Sequence, residues 1–380
     1  MSGSSREFRV RCSAETVDWE GANMRMDSST GMTRRASLLG ALTIVAATAA
    51  AMLLPAAAAS AAPKPFVVCN QLGGQAGPDI AGPVVVWTDN RNGNLDIYGR
   101  NLSTRKEFAV CTKPAQQDNP SVTRYVSGGK VKYVAVWVDS RNHEGGLATD
   151  IYGRDITARR NFLVARSATV KWFPEIVDTW VIWIEADDPA GPYRIKARDL
   201  EARKTYLIAK SPVLSSVAIS RRTVGSRTVH TAVYTSGKGN ISGRNLPQGD
   251  PFIVSQRSTF EWMPDISGNR VVWWESGGRI MLKNLKTGKR TFVHSGSRPR
   301  IDGSLVTWDG GGHGGEFVIS YRRDARVYVR DVARSSRVVT ITQKDLTCLF
   351  PAVSGKRVVW ESGPARRVLS HIHIYGARLN

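Results

Sequence analysis

The chain has 380 residues, 42% of them hydrophobic, enough apolar material for one or two sizeable cores. Its net charge is +21, and because residues 1–61 hold six arginines against five acids, nearly all of that excess belongs to the remainder. Such a balance favours anionic partners and argues nothing about fold. The four cysteines, Cys12, Cys69, Cys111 and Cys348, form no C-x-x-C pair, which argues against a zinc cage and a disulfide scaffold but leaves one disulfide open among the last three.

In chain order, residues 1–31 are polar and unpatterned, and read as a disordered n-region or a mis-assigned start, with Met26 or Met32 as the true initiator. Residues 32–61 read as a signal peptide: Arg34-Arg35 precede an uncharged, Ala/Leu-rich run that closes on Ala59-Ser60-Ala61. Thr33 to Leu39 resembles the twin-arginine export motif, with Ser37 where that motif often carries Phe, so a general secretory route stays open. The run from Ala36 to Ala62 is also long enough for an uncleaved anchor. Pro55 and the A-x-A site favour cleavage, and the expectation is a secreted chain with no membrane span in its mature form.

Residues 62–380 repeat one sentence. An apolar run ends on an aromatic anchor at Trp87, Trp137, Trp183, Tyr234, Trp273, Trp308 and Trp360. Before most anchors stands a Pro-x-(Ile/Val)-x-Gly-like phrase: "PDIAG" at Pro78, "PEIVD" at Pro174, "PDISG" at Pro264, "PRIDG" at Pro299 and "PAVSG" at Pro351. After them come "DIYGRNL" at Asp96, "DIYGRDI" at Asp150 and looser versions, and a fourth apolar run such as "EFAVC" closes each unit. Each unit therefore reads as four short strands with Gly/Asn/Ser turns, including the Asn92-Gly93 pair. The second strands, such as "VVVW", are apolar on both faces, which suits a sheet stacked between two others.

Four-stranded sheets repeated in this way predict an all-β, seven-bladed propeller, with blades at about 78–111, 117–164, 172–209, 212–254, 262–293, 298–341 and 349–380. The last unit stops after its third strand, and "KPFVVC" at Lys64–Cys69 matches "KEFAVC" at Lys106–Cys111. The N-terminal strand 64–69 is thus expected to complete the C-terminal blade and close the ring. Unit four is the weakest match, and a six-bladed ring stays open. The repeated "P-x-I-x-G…VVW-x-D-x-R…DIY-x-R-x-L" phrase resembles the TolB-like β-propeller family over about residues 64–380. The resemblance implies a six- or seven-bladed propeller used mainly as a binding scaffold.

Loops joining second to third strands, and one blade to the next, share one face of a propeller, here the top face. An acid follows the anchor in six units, at Asp89, Asp139, Glu185, Glu275, Asp309 and Glu361, and its expected role is turn chemistry. Arg91 and Arg141 follow two of these acids. Trp172-Phe173 and Trp262 precede the inner strands of blades three and five, close to the channel mouth, where aromatic faces stack on sugars. His143 and His313 lie in top-face loops of distant blades. Candidate ligand-binding residues are therefore Trp172, Phe173, Trp262, Arg91, Arg141, His143 and His313. No nucleophile, P-loop or dinucleotide motif is present, so no catalytic residue, metal or cofactor is expected.

The reading is a monomeric, secreted, non-catalytic scaffold for a protein or an anionic cell-envelope polysaccharide, with no nucleic-acid partner. The alternative is a lyase or hydrolase acting on an acidic glycan in the central channel.

Overall fold

The computed structural model describes residues 63–379, apart from 144, 214–215, 311–324, 335–336, 342–345 and 365–370. The described strands form seven four-stranded antiparallel sheets, the blades of a β-propeller. Blades 1 to 6 span residues 75–111, 117–165, 170–211, 217–255, 261–295 and 297–340 in simple inner-to-outer order. Blade 7 takes its inner three strands from 346–378 and its outer strand from Phe66–Cys69. No helix among the described residues is long and apolar enough to cross a membrane.

The ring closes as the repeat predicts. Phe66 pairs with Gly376, and a Cβ on Gly376 would come within 2.9 Å of the Phe66 ring. The same lock recurs where Phe108 covers Gly99, Phe162 covers Gly153 and Phe252 covers Gly243. In these four blades a phenylalanine of the outer strand covers a third-strand glycine, so the N-terminal strand docks by the same fit as the outer strands of blades 1, 2 and 4.

Seven apolar clusters hold the seven blade interfaces, and one aromatic anchor sits in each. Trp137 of blade 2 packs with Val86, Ile97 and Val110 of blade 1, and Trp87 packs with Val68, Val359 and Ile374 of blade 7. Trp183, Trp273, Trp308, Trp360 and Tyr234 repeat this relation to the blade before each of them. All seven anchors are buried. The second strands Val84–Asp89 and Trp180–Ala186 are buried along their whole length, because each lies mid-sheet between two neighbouring sheets.

The inner strand of each blade is a sheet edge, and its free N–H groups need partners. At the bottom of the channel the preceding blade supplies them. Ser354, Thr123, Ser220, Ser267 and Asp302 accept from the turn N–H of Gly82, Asp178, Gly268, Gly303 and Gly355, respectively. At this end five of the seven junctions are therefore stitched side chain to backbone among the described residues. At the top of the channel the inner strands are bulged. The pairing register slips between Ala76 and Asp79, Asp118 and Ser121, Trp172 and Glu175, Trp262 and Asp265, Ser297 and Arg300, and Leu349 and Ala352. Blade 4, the weakest repeat, pairs Val217–Val224 with Arg227–Tyr234 without a slip.

Candidate functional site

Each bulge holds one residue in the left-handed region: Gly77 (φ 57°), Asn119 (53°), Phe173 (49°), Met263 (51°), Arg298 (48°) and Phe350 (50°). Five of the six are not glycine, and a phenylalanine there is held against its own steric preference. They ring the top end of the channel. Phe173 and Phe350 keep 39% and 43% of their surface exposed. Arg298 lies with its guanidinium 4.5 Å from the Phe350 ring centre and bonds Asp309 at 2.7 Å. Backbone contacts pin the ring from below and beside: Met263 N–H donates to Ser216, Phe350 N–H to Asp309, and Gly77 N–H to Glu361.

Two residues further along the inner strands, the x of each Pro-x-Ile phrase falls at one height in the channel wall. These positions are Asp79, Ser121, Glu175, Asp265, Arg300 and Ala352, with Ala218 in blade 4. Arg300 of blade 6 crosses the channel to Glu175 of blade 3 at 3.0 Å, and stands 3.6 Å from Asp265 and 3.8 Å from Asp79. Its guanidinium thus ties blades 1, 3, 5 and 6 together. Asp79 and Asp265 also accept the free N–H of the next inner strand, from Val122 at 2.8 Å and Ile301 at 2.7 Å. Ser121 hydroxyl donates to Glu175 at 3.3 Å.

Three carboxylates against one guanidinium leave the channel acidic inside a strongly basic chain. Burial pushes the Asp79 carboxyl up to about 6, against the pull of Arg300 and with the push of Glu175. Burial raises Asp265 in the same way. The charge of Glu175 holds the Arg300 guanidinium above its ordinary value. The side chains still keep 14–32% of their surface accessible, so solvent screening reduces what this cluster contributes. No group of three or more His, Cys, Asp or Glu residues suited to a metal ion occurs among the described residues.

The residues singled out from the sequence divide into those at the mouth and those elsewhere. Trp172 and Phe173 lie together at the mouth on blade 3. Trp172 is half-buried, edge-on to Tyr193 at 6.1 Å, while Phe173 is open. Trp262 is half-buried on blade 5, beside the exposed Phe260 at 6.4 Å.

Arg91 and Arg141 turn inward between blades. Arg91 doubly bonds Asp89, reaches Glu107 at 2.6 Å and the Cys69 thiol at 3.2 Å, and stacks on Tyr98 at 4.0 Å. Arg141 does the same with Asp139, the Cys111 thiol at 3.0 Å and Tyr152 at 4.3 Å. His143 is bound at 3.0 Å to buried Asp150, the first residue of the strand that follows its loop. His313 lies outside the described residues.

Two of the acids after the anchors make the expected turn bonds, Asp89 accepting from Arg91 N–H and Asp139 from Arg141 N–H, whereas Asp309 and Glu361 accept instead from the bulge N–H groups of Phe350 and Gly77 in the next blade. Asp89, Asp139 and Glu185 also satisfy the buried indole N–H two residues back: Trp87 to Asp89 at 2.8 Å, Trp137 to Asp139 at 2.9 Å and Trp183 to Glu185 at 2.9 Å. In blade 5 Glu261 takes that role for Trp273. Cys69, Cys111 and Cys348 are buried free thiols, and burial pushes Cys69 up to about 11, which keeps it protonated.

Sequence reasoning missed Arg300, Asp79, Glu175, Asp265, Met263, Arg298 and Phe350. The signal was present: within an otherwise regular phrase, the residue after proline changes from acid to serine to arginine from one unit to the next.

No protein-family model matches the chain, and no curated protein matches it by sequence. Solved structures do match by shape. An oligogalacturonate lyase from Vibrio parahaemolyticus superposes with a TM-score of 0.55 at 12% identity, covering 83% of this chain and 91% of that one. The β-propeller domain of the Trilobed protease from Pyrococcus furiosus, described as having an open velcro topology, gives 0.56 at 10% identity over 81% and 94%. TolB from Acinetobacter baumannii gives 0.42 at 10% identity over 74% and 59%. At such identities the likeness to the first two concerns the propeller fold, and this chain differs from an open ring in closing its last blade with its own N-terminal strand.

Proposed function

We propose that the chain is a non-catalytic binding scaffold whose ligand, a protein segment or an anionic envelope glycan, seats on the top face over the channel mouth. The ring of left-handed, non-glycine residues carries this reading: backbone strain is held at one end of one channel, and it presents Phe173, Met263 and Phe350 around the opening. The basic surface draws anionic partners toward the molecule, and the signal-like segment at 32–61 supports export from the cell. A lytic reaction on an acidic glycan inside the channel fits less well, because Asp79, Glu175 and Asp265 repel such a substrate at the depth where chemistry would occur.

The test is binding of the full chain to a panel of acidic and neutral glycans, cell-wall fractions and peptides at two salt concentrations. Phe173→Gly and Phe350→Gly remove the mouth aromatics at positions where glycine fits the backbone. Saturable binding that both variants lose supports the reading. Binding that vanishes with salt and ignores both variants overturns it.

A further inference from the structure

Two interfaces of the repeat serve as controls for a third that differs from them. Between blades 7 and 1, and again between blades 1 and 2, the upper half of the interface is filled by a guanidinium: Arg91 on Asp89, Cys69 and Tyr98, and Arg141 on Asp139, Cys111 and Tyr152. Between blades 2 and 3 the register puts Asp187 in the arginine's place, Ala165 in the cysteine's and Lys196 in the tyrosine's. All three fillers are gone, and a cleft of about 420 Å³ opens there. It is lined by Arg166, Lys171, Glu185, Lys196, Arg198 and Thr205, among others.

A second regularity breaks at the same place. In five blades the basic residue of the third strand straps the blade to the one before it, donating to a carbonyl of the preceding outer strand. Arg100 bonds Val68 O at 2.6 Å, Arg154 bonds Val110 O at 3.5 Å and Arg244 bonds Ile208 O at 2.7 Å. Lys283 bonds Val254 O at 2.7 Å, and Arg330 bonds Val293 O at 2.8 Å. The equivalent acceptor for Arg198 is Val164, which lines the cleft, yet Arg198 bonds Thr205 Oγ1 at 3.0 Å instead. Among the described residues Arg198 has no carboxylate partner.

The charge balance of the lining is four cations to one carboxylate. Lys171 is 1% exposed, and its ammonium donates to three carbonyls, Thr149 O, Thr169 O and Ser167 O, at 2.7, 3.1 and 3.2 Å. Its charge is therefore held in place without a contacting carboxylate. Glu185 is taken by Lys196 at 2.7 Å, and Arg166 by Asp150 at 3.2 Å. What remains is a fixed positive potential in a preformed slot, with spare donors on Arg198 and Lys196.

We propose that the cleft between blades 2 and 3 is an oxyanion-binding site, taking the carboxylate or phosphate group of a ligand where the two preceding interfaces hold a guanidinium of their own chain. Arg198 supplies a planar fork for two anion oxygens, Lys196 a point charge, and Lys171 the buried field beneath them. Phe350 lies on blade 7, away from this cleft, so Phe350→Gly leaves the cleft intact and the two readings fail separately.

The experiment is calorimetric titration of the full chain with inorganic phosphate, sulfate and glucuronate, with ionic strength held constant by sodium chloride. One saturable site is expected. Arg198→Gln keeps a hydrogen bond to Thr205 and removes the charge, and it weakens binding by about ten- to a hundredfold. Arg166→Gln, an exposed change, weakens it less. Tighter binding of phosphate than of glucuronate assigns the site to phosphate-bearing ligands, and the reverse assigns it to sugar acids. Absence of saturable binding by all three anions, or binding that Arg198→Gln leaves unchanged, overturns the proposal.

Discussion

The blade interfaces and the channel wall are built from the same repeat by opposite rules. At the interfaces a position earns its place by recurring: aromatic anchor, acid, arginine, tyrosine and thiol meet in the same way at Arg91 and at Arg141. In the channel wall, one position runs Asp79, Ser121, Glu175, Ala218, Asp265, Arg300, Ala352, and its differences are what let an arginine meet three acids. Repetition builds the scaffold, because neighbouring blades are related by rotation and a self-complementary contact works at every junction. A cluster at the axis cannot be made that way, since seven identical charges facing one another repel.

The contrast is most exposed at Arg300. Arg300→Ala leaves Asp79, Glu175 and Asp265 facing each other in the channel, and is expected to cost about 2–4 kcal/mol in urea unfolding, the upper end of such losses being reduced by solvent access. Adding Asp79→Asn, Glu175→Gln and Asp265→Asn to that variant recovers part of the loss. If Arg300→Ala is as stable as the parent, the cluster does not brace the ring.

At the interfaces, Arg91→Ala and Arg141→Ala are each expected to cost about 2 kcal/mol, since each strands a fully buried aspartate that also serves a tryptophan. Similar losses for the two variants in matched denaturation curves are the mark of a repeated module. A large loss at one and none at the other would show that the two interfaces only look alike.

The channel also sets a pH dependence. A carboxyl raised in the folded state binds its proton more tightly there than in the unfolded chain, so its contribution to stability is greatest at low pH and declines as pH rises. For Asp79 the window runs from its ordinary 3.8 to about 6. The melting temperature of the parent, measured relative to Asp79→Asn, is therefore expected to fall between about pH 4 and pH 6 and to level off above. A rise over that range would mean that Arg300 outweighs burial at this site.

The smallest effect belongs to the mouth. Phe173→Gly and Met263→Gly exchange lost contacts for relief of a left-handed backbone, so stability should change by about 1 kcal/mol or less in either direction. Gly77, which holds the same place in blade 1, shows that the bulge accepts glycine. A loss of several kcal/mol would mean that these side chains pack the ring rather than face a ligand.

Much of the architecture is legible in the amino-acid sequence. The second strands, apolar on both faces, announce stacked sheets, and the unit that stops short together with the unit that starts early announces a ring closed by its own N-terminus. The anchors mark the seven interfaces because a buried tryptophan is the largest side chain each junction must accommodate. The candidate site is legible only in part. Trp172, Phe173 and Trp262 stand out because they depart from the repeat, whereas Arg91 and Arg141, prominent as top-face charges, lie sideways in the interfaces. Phe350 and Arg298 escape notice because a bulge is a slip in pairing, and pairing is not written in either strand alone.

The sequence by itself determined the repeat, the strand order within each blade and the closure of the ring, because all of these follow from local periodicity and from the requirement that every sheet face and edge be covered. The tertiary structure alone decided that Arg300 reaches Glu175, 125 residues away in the chain, and that the interface between blades 2 and 3 opens into a basic cleft. Contacts across the axis join blades that are not neighbours in sequence or in the ring, and a cleft is defined by what fails to fill it. Neither is a property of any single repeat, so neither appears until the ring is assembled.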